Sequence, residues 1–435
     1  MGINGEGIGF YHQKPVFIMG ALSGETVECD QLKSYGNYYS ARLVKICQRS
    51  KDRQKSLCPK QKYCGSCPLM ITKYARQLQY KRELVEEALS KYCHQSFSVA
   101  ETIASPQTLN YRNKCSLPVI EKDGELVNAM YQSSSNHPVA ISNCFIHDPE
   151  VERIRKEVLN LLNRYRLKAY DHKNKKGIRH LQVRGFDQQY QVVIITGEDK
   201  LKDELIADIM KDERIVSLYQ GINTVKNPLQ LLPKELKLLA GSKNISLKLA
   251  DYEVNLLPRS FYQLNSAQAL NIYEKVSSLV EEESGLTVEA YCGVGLMSIM
   301  LAKNSKKVIG IDIEKSSIIN ARENAKRNHL ENVEFICGDA DEQISRIARK
   351  QNIDVLVVDP PRTGLTDEFM ETIIKGKIRK LIYVSCNPAT LAKNISVLSR
   401  HYSVELIQPY DMFPQTAHVE TVVELFRKEE RLWKN

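Results

Sequence analysis

The chain has 435 residues, 43% of them hydrophobic and 26% charged, which is typical of a folded globular protein with two or three domains. It contains no apolar run of about 18 residues, which excludes an apolar membrane-spanning helix. The opening sequence MGINGEGIGFYHQ lacks the basic segment and apolar core of a signal peptide. We therefore expect a cytoplasmic protein that does not associate with a membrane.

Basic residues exceed acidic ones by nine, and the excess is concentrated in two segments. Residues 41–82 carry twelve Lys and Arg against one acid. Residues 164–184 carry eight Lys and Arg and two His against one acid. Such patches are typical of proteins that bind polyanions, nucleic acid above all, with a solvated basic surface as the alternative.

The order of sequence patterns predicts three segments. Residues 1–48 contain short strand-like runs separated by Gly, Ser and Asn turns. Residues 49–250 begin with a basic, Cys-rich stretch, continue with apolar spacing suited to a long helix over 68–92, and end in short strands and helices. From about residue 251 strands and helices alternate, which predicts an α/β domain with a doubly wound parallel sheet.

Eleven cysteines are many for a reducing compartment, where disulfides are rare, so some should bind metal or do chemistry. Cys58, Cys64 and Cys67 follow one another with C-x5-C-x2-C spacing, and Cys144 is a distant fourth candidate. This pattern suits a tetrahedral sulfur site. One triplet with a distant ligand favours a 4Fe-4S cluster over zinc, and a chain without metal is the remaining alternative.

A Gly-rich turn in AYCGVGL follows a predicted strand and opens a helix, so Gly293 and Gly295 would let a ligand approach the backbone. The next strand ends in Asp312, nineteen residues after Gly293, at the distance typical of a carboxylate that binds ribose hydroxyls. The turn lacks the full dinucleotide pattern, which favours S-adenosyl-L-methionine over NAD. Asp339 ends the third strand and is expected to face an adenine or, alternatively, to cap a helix.

Two later strands end in residues suited to chemistry. IDVLVVDPPRTGL places Asp359 at the carboxyl end of a strand, where open α/β sheets bind ligands. LIYVSCNP places Cys386 at the end of the next strand, on the same rim. Glu420 precedes the last apolar strand. An inert core thiol at Cys386 and a surface carboxylate at Glu420 are the alternatives.

These segments together resemble the S-adenosylmethionine-dependent RNA uracil-5-methyltransferases. The resemblance runs over nearly the whole chain and is carried by CPKQKYCGSC with Cys144, RSFYQLN, AYCGVGL, DPPRTGL, VSCNPATLAKN and DMFPQTAHVET. The N-terminal GEGIGF…VFIMGALSGETVEC resembles the small RNA-binding β-barrel called TRAM. A chain that has both this barrel and the cysteine set is more similar to the family branch that modifies 23S ribosomal RNA than to the branch that modifies transfer RNA.

The resemblance implies a role for each matching residue. Cys386 would be the nucleophile, Glu420 the base, and Asp359 a pocket residue. The donor, S-adenosyl-L-methionine, would be held by the donor set Gln263, Tyr291, Gly293, Gly295, Asp312, Asp339 and Asp359. The 4Fe-4S cluster would be held by Cys58, Cys64, Cys67 and Cys144. A monomer acting on ribosomal RNA is expected.

Three other functions compete with this one. A transfer RNA uracil-5-methyltransferase would carry the same catalytic residues. A cytosine-5 enzyme is expected to show Pro-Cys in its DNA forms or two motif cysteines in its RNA forms, and neither pattern is present. A non-catalytic iron–sulfur RNA-binding module is disfavoured because nucleophile, base and donor site are all in place.

Overall fold

The structure, a computed structural model, describes residues 1–132, 135, 137–226 and 231–428. These residues divide into two compact units. The first unit comprises residues 1–62, 66–108 and 267–435, and the second comprises residues 63–65 and 109–266. No helix in these described ranges has the length and apolarity needed to cross a membrane.

The N-terminal residues of the first unit form a small sheet of four strands, β1 (Gly7–Tyr11), β2 (Lys14–Ile18), β3 (Thr26–Ser34) and β4 (Tyr39–Gln48). Their order is β1–β2–β4–β3. The apolar core of this sheet is small and consists of Val16, Ile18 and Ala21, which are buried, with partly buried side chains such as Val27 packed against them. The strands predicted from the sequence are present, and closure into a TRAM-type barrel stays a prediction.

The helical stretch that follows is divided into separate elements. These are α1 (Gln61–Cys64), a short 3-10 helix (Pro68–Ile71) and α2 (Tyr74–Tyr92). The sequence predicts one helix over 68–92, but Thr72 has extended backbone angles (φ −116°, ψ 136°), which interrupts it. Helix α2 buries Val85 and Leu89 in the largest apolar core of the first unit.

The second unit contains β5 (Lys114–Lys122), β6 (Glu125–Tyr131), β7 (Pro138–Ala140), α3 (Pro149–Arg164), β8 (Ile178–Phe186), β9 (Gln189–Thr196), α4 (Asp203–Ile209), β10 (Ile215–Ile222), β11 (Lys237–Gly241), β12 (Ile245–Leu249) and β13 (Tyr252–Leu256). Seven strands form one sheet in the order β11–β10–β9–β8–β5–β6–β7, and β12 and β13 form a hairpin. Apolar side chains such as Val183 and Ile194 pack with those of α3 and α4 in one core.

The C-terminal residues of the first unit alternate strands and helices. They form α5 (Ser266–Ser278), β14 (Ser284–Ala290), α6 (Leu296–Leu301), a 3-10 turn (Ala302–Asn304), β15 (Ser305–Asp312), α7 (Lys315–Arg327), β16 (Val333–Cys337), α8 (Ala340–Ala348), β17 (Val355–Val358), α9 (Asp367–Lys375), β18 (Lys380–Ser385), α10 (Pro388–Leu398), β19 (Tyr402–Tyr410) and β20 (Glu420–Arg427). This alternation confirms the predicted α/β, Rossmann-like fold.

The order of this second large sheet is β16–β15–β14–β17–β18–β20–β19. Strands β14 to β18 run parallel, whereas β20 is antiparallel to both of its neighbours. The chain moves outward from β14 through β15 to β16, then returns to the other side of β14 with β17. The carboxyl ends of β14 and β17 therefore flank the switch point, which is where open α/β sheets bind ligands.

Candidate active site

The glycine turn after β14 is held by the carboxylate at the end of β15. The Gly293 N–H donates to Oδ2 of Asp312 at 2.9 Å, and Oδ1 of Asp312 accepts from the Glu314 N–H at 2.8 Å. Gly293 has φ 53°, and a Cβ added there would meet no heavy atom of the described chain within 4 Å. A ligand therefore has room to approach the backbone at this point.

The same turn is constrained on both sides of Gly293. Gly295 has φ 81°, and an added Cβ would lie 2.5 Å from the ring of Phe335, so a larger residue would displace that ring. Tyr291 also has a positive φ, 65°, which is uncommon for a residue with a side chain. Burial first, and then the charges of Asp341 and Asp339, raises the pKa of Tyr291 to about 12. Tyr291 is therefore a neutral phenol at neutral pH.

Asp339 caps a helix, which is one of the two roles that the sequence left open. Its Oδ1 accepts from the Asp341 N–H at 3.0 Å and from the Glu342 N–H at 3.3 Å, at the start of α8. This arrangement satisfies two amide groups that the first helical turn leaves without partners. A contact between Asp339 and adenine stays a prediction.

Asp359 directly follows β17, at the switch point of the sheet. Pro360 and Pro361 stiffen the loop after it, and the Gly364 N–H closes that loop by donating to the Pro361 carbonyl at 2.9 Å. Burial raises the pKa of Asp359 to about 7. Near neutral pH this carboxyl can therefore be either a hydrogen-bond donor or an acceptor.

Cys386 and Glu420 meet at the end of an antiparallel pair of strands. Ser385, the last residue of β18, pairs with Thr421 of β20. Cys386 follows Ser385 and Glu420 precedes Thr421, so the two residues face each other one step beyond that pair. Cys386 is half-buried, whereas Glu420 is 5% exposed. The sequence predicted Cys386 at the rim and Glu420 before the last strand, and the strand register brings the two together.

The charges at this rim act on one another. Burial, followed by the charges of Glu420 and Asp359, raises the pKa of the Cys386 thiol to about 11. Burial and the charge of Asp359 raise the pKa of Glu420 well above its usual range. The exposed Arg362 opposes both shifts with its positive charge. The cluster therefore favours the protonated forms of both the Cys386 thiol and the Glu420 carboxyl, and the Glu420 carboxylate, once ionised, is a stronger base than usual.

Asn387 connects the thiol loop to the aspartate loop, and sequence reasoning assigned it no role. Its side-chain oxygen caps α10 by accepting from the Ala389 N–H at 3.1 Å. Its Nδ2 donates to the Arg362 carbonyl at 2.9 Å, which Thr390 Oγ1 also contacts at 3.2 Å. The residue after the cysteine therefore fixes the spacing between the two loops.

A second group of residues missed from the sequence fixes the segment that leads to Glu420. Lys81 of α2 forms an ion pair with Asp411, and neither side chain is exposed. One turn earlier, Gln77 Nε2 donates to Gln415 Oε1 at 3.0 Å, and the Gln415 N–H donates to Gln77 Oε1 at 3.0 Å. The available signal was a Gln and a Lys four residues apart on a helix, which share one face.

Glu289 is a further acidic residue beneath the glycine turn. It lies in β14, is 4% exposed, and accepts a hydrogen bond from Ser298. Burial, together with the charge of Asp359, raises the pKa of Glu289 to about 8. The signal in the sequence was a charged residue within an otherwise apolar strand.

Gln263 belongs to the second unit, in the segment that follows β13. Its backbone carbonyl accepts a hydrogen bond from Asn113 Nδ2 at 2.9 Å, and the same amide donates to Ser266 Oγ at 2.9 Å. The segment RSFYQLN is thus attached to the start of β5. The predicted contact of Gln263 with the methyl donor stays a prediction.

The predicted four-cysteine cluster finds no support in the geometry. The four predicted ligands, Cys58, Cys64, Cys67 and Cys144, are each partly buried. Within residues 1–132, 135, 137–226 and 231–428, no three His, Cys, Asp or Glu side chains are grouped so that they could hold a metal ion.

Comparison with known proteins identifies the family. The family model described as tRNA (uracil-5-)-methyltransferase matches residues 73–428. A Bacillus cereus protein described as an uncharacterized RNA methyltransferase is 36% identical over 440 residues, which covers 98% of this chain and 95% of that protein. A similarly described protein of Streptococcus pneumoniae is 34% identical over 436 residues, covering 98% and 96% of the two chains.

A solved structure agrees with the family match. The tRNA (uracil-54, C5)-methyltransferase of Pyrococcus abyssi, in complex with S-adenosyl-L-homocysteine, superimposes with a TM-score of 0.80 at 25% identity. The match covers 97% of this chain and 98% of that one. With the glycine turn and the Cys386–Glu420 pair in place, the chain belongs to the tRNA (uracil-5-)-methyltransferase family of S-adenosylmethionine-dependent RNA-modifying enzymes.

Proposed function

We propose that this protein methylates C5 of uridine in 23S ribosomal RNA through a transient bond between Cys386 and C6 of the base. The observation that carries this proposal is the facing position of Cys386 and Glu420 at the end of the β18–β20 ladder, beside Asp359. A nucleophile and a base held this close suit a reaction that needs both on one ring.

The residues around the glycine turn fit the methyl donor. The open space beside Gly293 and the carboxylate of Asp312 at the end of β15 suit a ligand with a ribose and without a pyrophosphate. We infer that Tyr291, Gly295 and Asp339 complete this pocket, and the resemblance assigns to Gln263 a contact with the methyl donor. When bound, S-adenosyl-L-methionine supplies an electrophilic methyl group.

Cys386 starts the reaction because C5 of uracil is a poor nucleophile. The thiol loses its proton to a carboxylate of the cluster, and its sulfur bonds to C6. The electron pair of the C5–C6 double bond moves toward C5 and O4, which makes C5 nucleophilic enough to accept the methyl group. Asp359 faces the same rim and would hold the N3–H edge of the ring.

Glu420 completes the reaction. The methylated adduct still carries a proton on C5, and Glu420 accepts that proton. The electron pair of the C5–H bond then re-forms the C5–C6 double bond, and the sulfur–C6 bond breaks to release Cys386. The raised pKa of Glu420 makes its ionised form a stronger base than an ordinary carboxylate.

The target base must be unstacked. C6 cannot be reached inside a helical stack, so the uridine is either flipped out or already in a loop. The basic segments 41–82 and 164–184 suit such unpaired RNA. We propose that residues 1–48 form the TRAM-like RNA-binding domain, residues 49–250 a central domain, and residues 251–435 the methyltransferase domain.

Transfer RNA is the alternative substrate. It is favoured by the Pyrococcus abyssi structure, because that protein is a tRNA (uracil-54, C5)-methyltransferase. Methylation assays on 23S, 16S and transfer RNA from cells lacking the protein, with the product nucleotide mapped, distinguish the two. The 4Fe-4S cluster at Cys58, Cys64, Cys67 and Cys144 stays a hypothesis from resemblance, and iron and sulfide analysis of anaerobically purified protein tests it.

The adduct itself can be trapped. Glu420→Gln blocks removal of the C5 proton but leaves the thiol in place, so protein, RNA and donor should give a covalent complex that survives denaturing gel electrophoresis. Cys386→Ala, and the double variant, should give none. An adduct that forms without Cys386, or full turnover by Cys386→Ala, would overturn the mechanism.

A further inference from the structure

A group of positive charges lies at one end of the sheet in the second unit. Lys114 is the first residue of β5, and Arg184 of β8 pairs directly opposite it. Paired residues on antiparallel strands project from the same face, so the two side chains are neighbours. Arg112 precedes Lys114 by two residues, and its charge acts on Lys114 as well.

These charges have no acidic partner in the described part of the chain. Arg184 is 1% exposed and donates to the carbonyls of Leu257 at 3.2 Å and Ser260 at 2.7 Å. No ion pair or hydrogen bond of the Lys114 ammonium is found among the described residues, and Nε of Arg112 is buried without a hydrogen-bond partner there. Burial is the larger cause that lowers the pKa of Lys114, and repulsion by the positive charges of Arg184 and Arg112 adds to it. Together they bring this pKa to about 7.

The same face of the sheet carries further buried polar atoms whose hydrogen bonds are not made within the described chain. They are Oγ of Ser116, Nε2 of Gln182 and Oε1 of Gln191. Ser116 pairs with Gln182, and Arg184 pairs with Gln191, so all three lie on the face of Lys114. Gln182 is 3% exposed and Gln191 is fully buried. Buried polar groups are nearly always satisfied, so these atoms indicate a polar ligand or its bound water.

We propose that Arg112 and Lys114, supported from behind by Arg184, bind a backbone phosphate of the RNA substrate. Guanidinium and ammonium groups are the side chains that recognise phosphate, and an anion would relieve the repulsion among three cations. The choice of RNA as the source of the phosphate rests on the proposed function. Arg112 and Lys114 lie outside both basic segments recognised in the sequence, whereas Arg184 is the last residue of the segment 164–184.

Salt-dependent RNA binding tests the site. The probe is a fluorescein-labelled single-stranded oligouridylate, whose anisotropy is measured at several salt concentrations. For Lys114→Met we expect the Kd to rise about 10-fold and the slope of log affinity against log salt to fall by about one. Arg112→Met should act in the same direction, and Lys114→Arg should retain most of the affinity and slope.

Lys211→Met is the matched control. Lys211 belongs to the same unit but is exposed and already paired with Asp208 at 2.7 Å, so its removal should change neither the Kd nor the slope. A Lys114→Met protein with wild-type thermal stability and unchanged Kd and slope would overturn the proposal. If the variant does not fold, Lys114→Gln and Arg112→Gln replace it.

A second measurement separates RNA phosphate from free phosphate. If Lys114→Met weakens calorimetric binding of inorganic phosphate but leaves oligouridylate binding intact, the RNA assignment is wrong. Methyl-transfer assays separate this proposal from the proposed function. A Lys114-dependent salt slope in a protein that methylates no RNA would support the phosphate site and contradict the methyltransferase role. A raised KM for RNA with unchanged kcat would support both.

Discussion

Cys386 and Glu420 face each other because β18 and β20 run in opposite directions. The pairing of Ser385 with Thr421 fixes the register, so the residue after one strand meets the first residue of the other. Facing positions in such a ladder place Cα atoms about 4.5–5.5 Å apart. The nucleophile and the base are therefore positioned by backbone hydrogen bonds.

The reactivity of the thiol should depend on the charge of Glu420. Because that charge helps to raise the pKa of Cys386 to about 11, Glu420→Gln should lower this pKa and increase the thiolate fraction at a given pH. At alkaline pH, where Glu420 is ionised, we expect faster alkylation of Cys386 by iodoacetamide in Glu420→Gln than in wild type, and rates that rise with pH in both proteins. Mass spectrometry reports the modified residue, with the exposed Cys337 as internal control. Equal rates at Cys386 would contradict the coupling.

Asn387→Ala should affect both stability and activity. Loss of the α10 cap costs about 1 kcal/mol, and loss of the hydrogen bond to the Arg362 carbonyl loosens the rim, so we expect kcat to fall roughly 10-fold. Thr366→Ala is the matched control, because Thr366 caps α9 through the Phe369 N–H at 3.1 Å. Chemical denaturation and methyl-transfer assays are compared. Equal loss of activity in both variants would show that Asn387 acts through stability alone.

Breaking the buried pair of Lys81 and Asp411 should be costly. Lys81→Met leaves the carboxylate of Asp411 buried without its cation, which typically lowers the free energy of unfolding by about 3–5 kcal/mol. The double variant with Asp411→Asn should recover part of that loss. Arg82→Met is the control on the same helix, because its pair with Glu86 is partly exposed and should contribute less than about 1 kcal/mol. If urea denaturation shows the same loss of unfolding free energy for Lys81→Met as for Arg82→Met, the buried pair is not the stabilising contact proposed here.

Glu289 should make the protein less stable as the pH rises. Its folded-state pKa of about 8 lies above the ordinary value of 4.5, so between these values the unfolded chain releases a proton that the folded chain retains. Between these two pH values the contribution of Glu289 to the free energy of unfolding falls by at most about 1.4 kcal/mol per pH unit. Glu289→Gln removes this effect, so its unfolding free energy should rise relative to wild type from pH 5 to pH 8. If the free energy of unfolding changes with pH in the same way in both proteins, the raised pKa of Glu289 is contradicted.

The positions of Cys386, Asp359 and Asp312 at the sheet rim could be predicted, because each ends or directly follows an apolar strand and parallel strands end at one edge. The capping role of Asp339 was also foreseeable, since aspartate before a helix commonly binds the first amides. These inferences needed only local sequence. The division of the predicted helix did not follow from periodicity, because only Thr72 and Lys73 leave the helical region within an apolar pattern.

Other features depend on contacts between distant parts of the chain. The facing of Cys386 and Glu420 requires the register of two strands, and the Lys81–Asp411 pair joins positions 330 residues apart. Lys114 and Arg184 likewise face each other only because β5 and β8 pair. No periodicity within a short window carries this information.

The antiparallel course of β20 has a consequence for how the enzyme can change. Glu420 begins β20, where it pairs with Tyr410 of β19, whereas Cys386 directly follows β18. The base is thus held by two neighbouring strands and the nucleophile by the end of one. Substitutions that shift the pairing of β19 with β20 would therefore move the group that removes the proton before they move the sulfur.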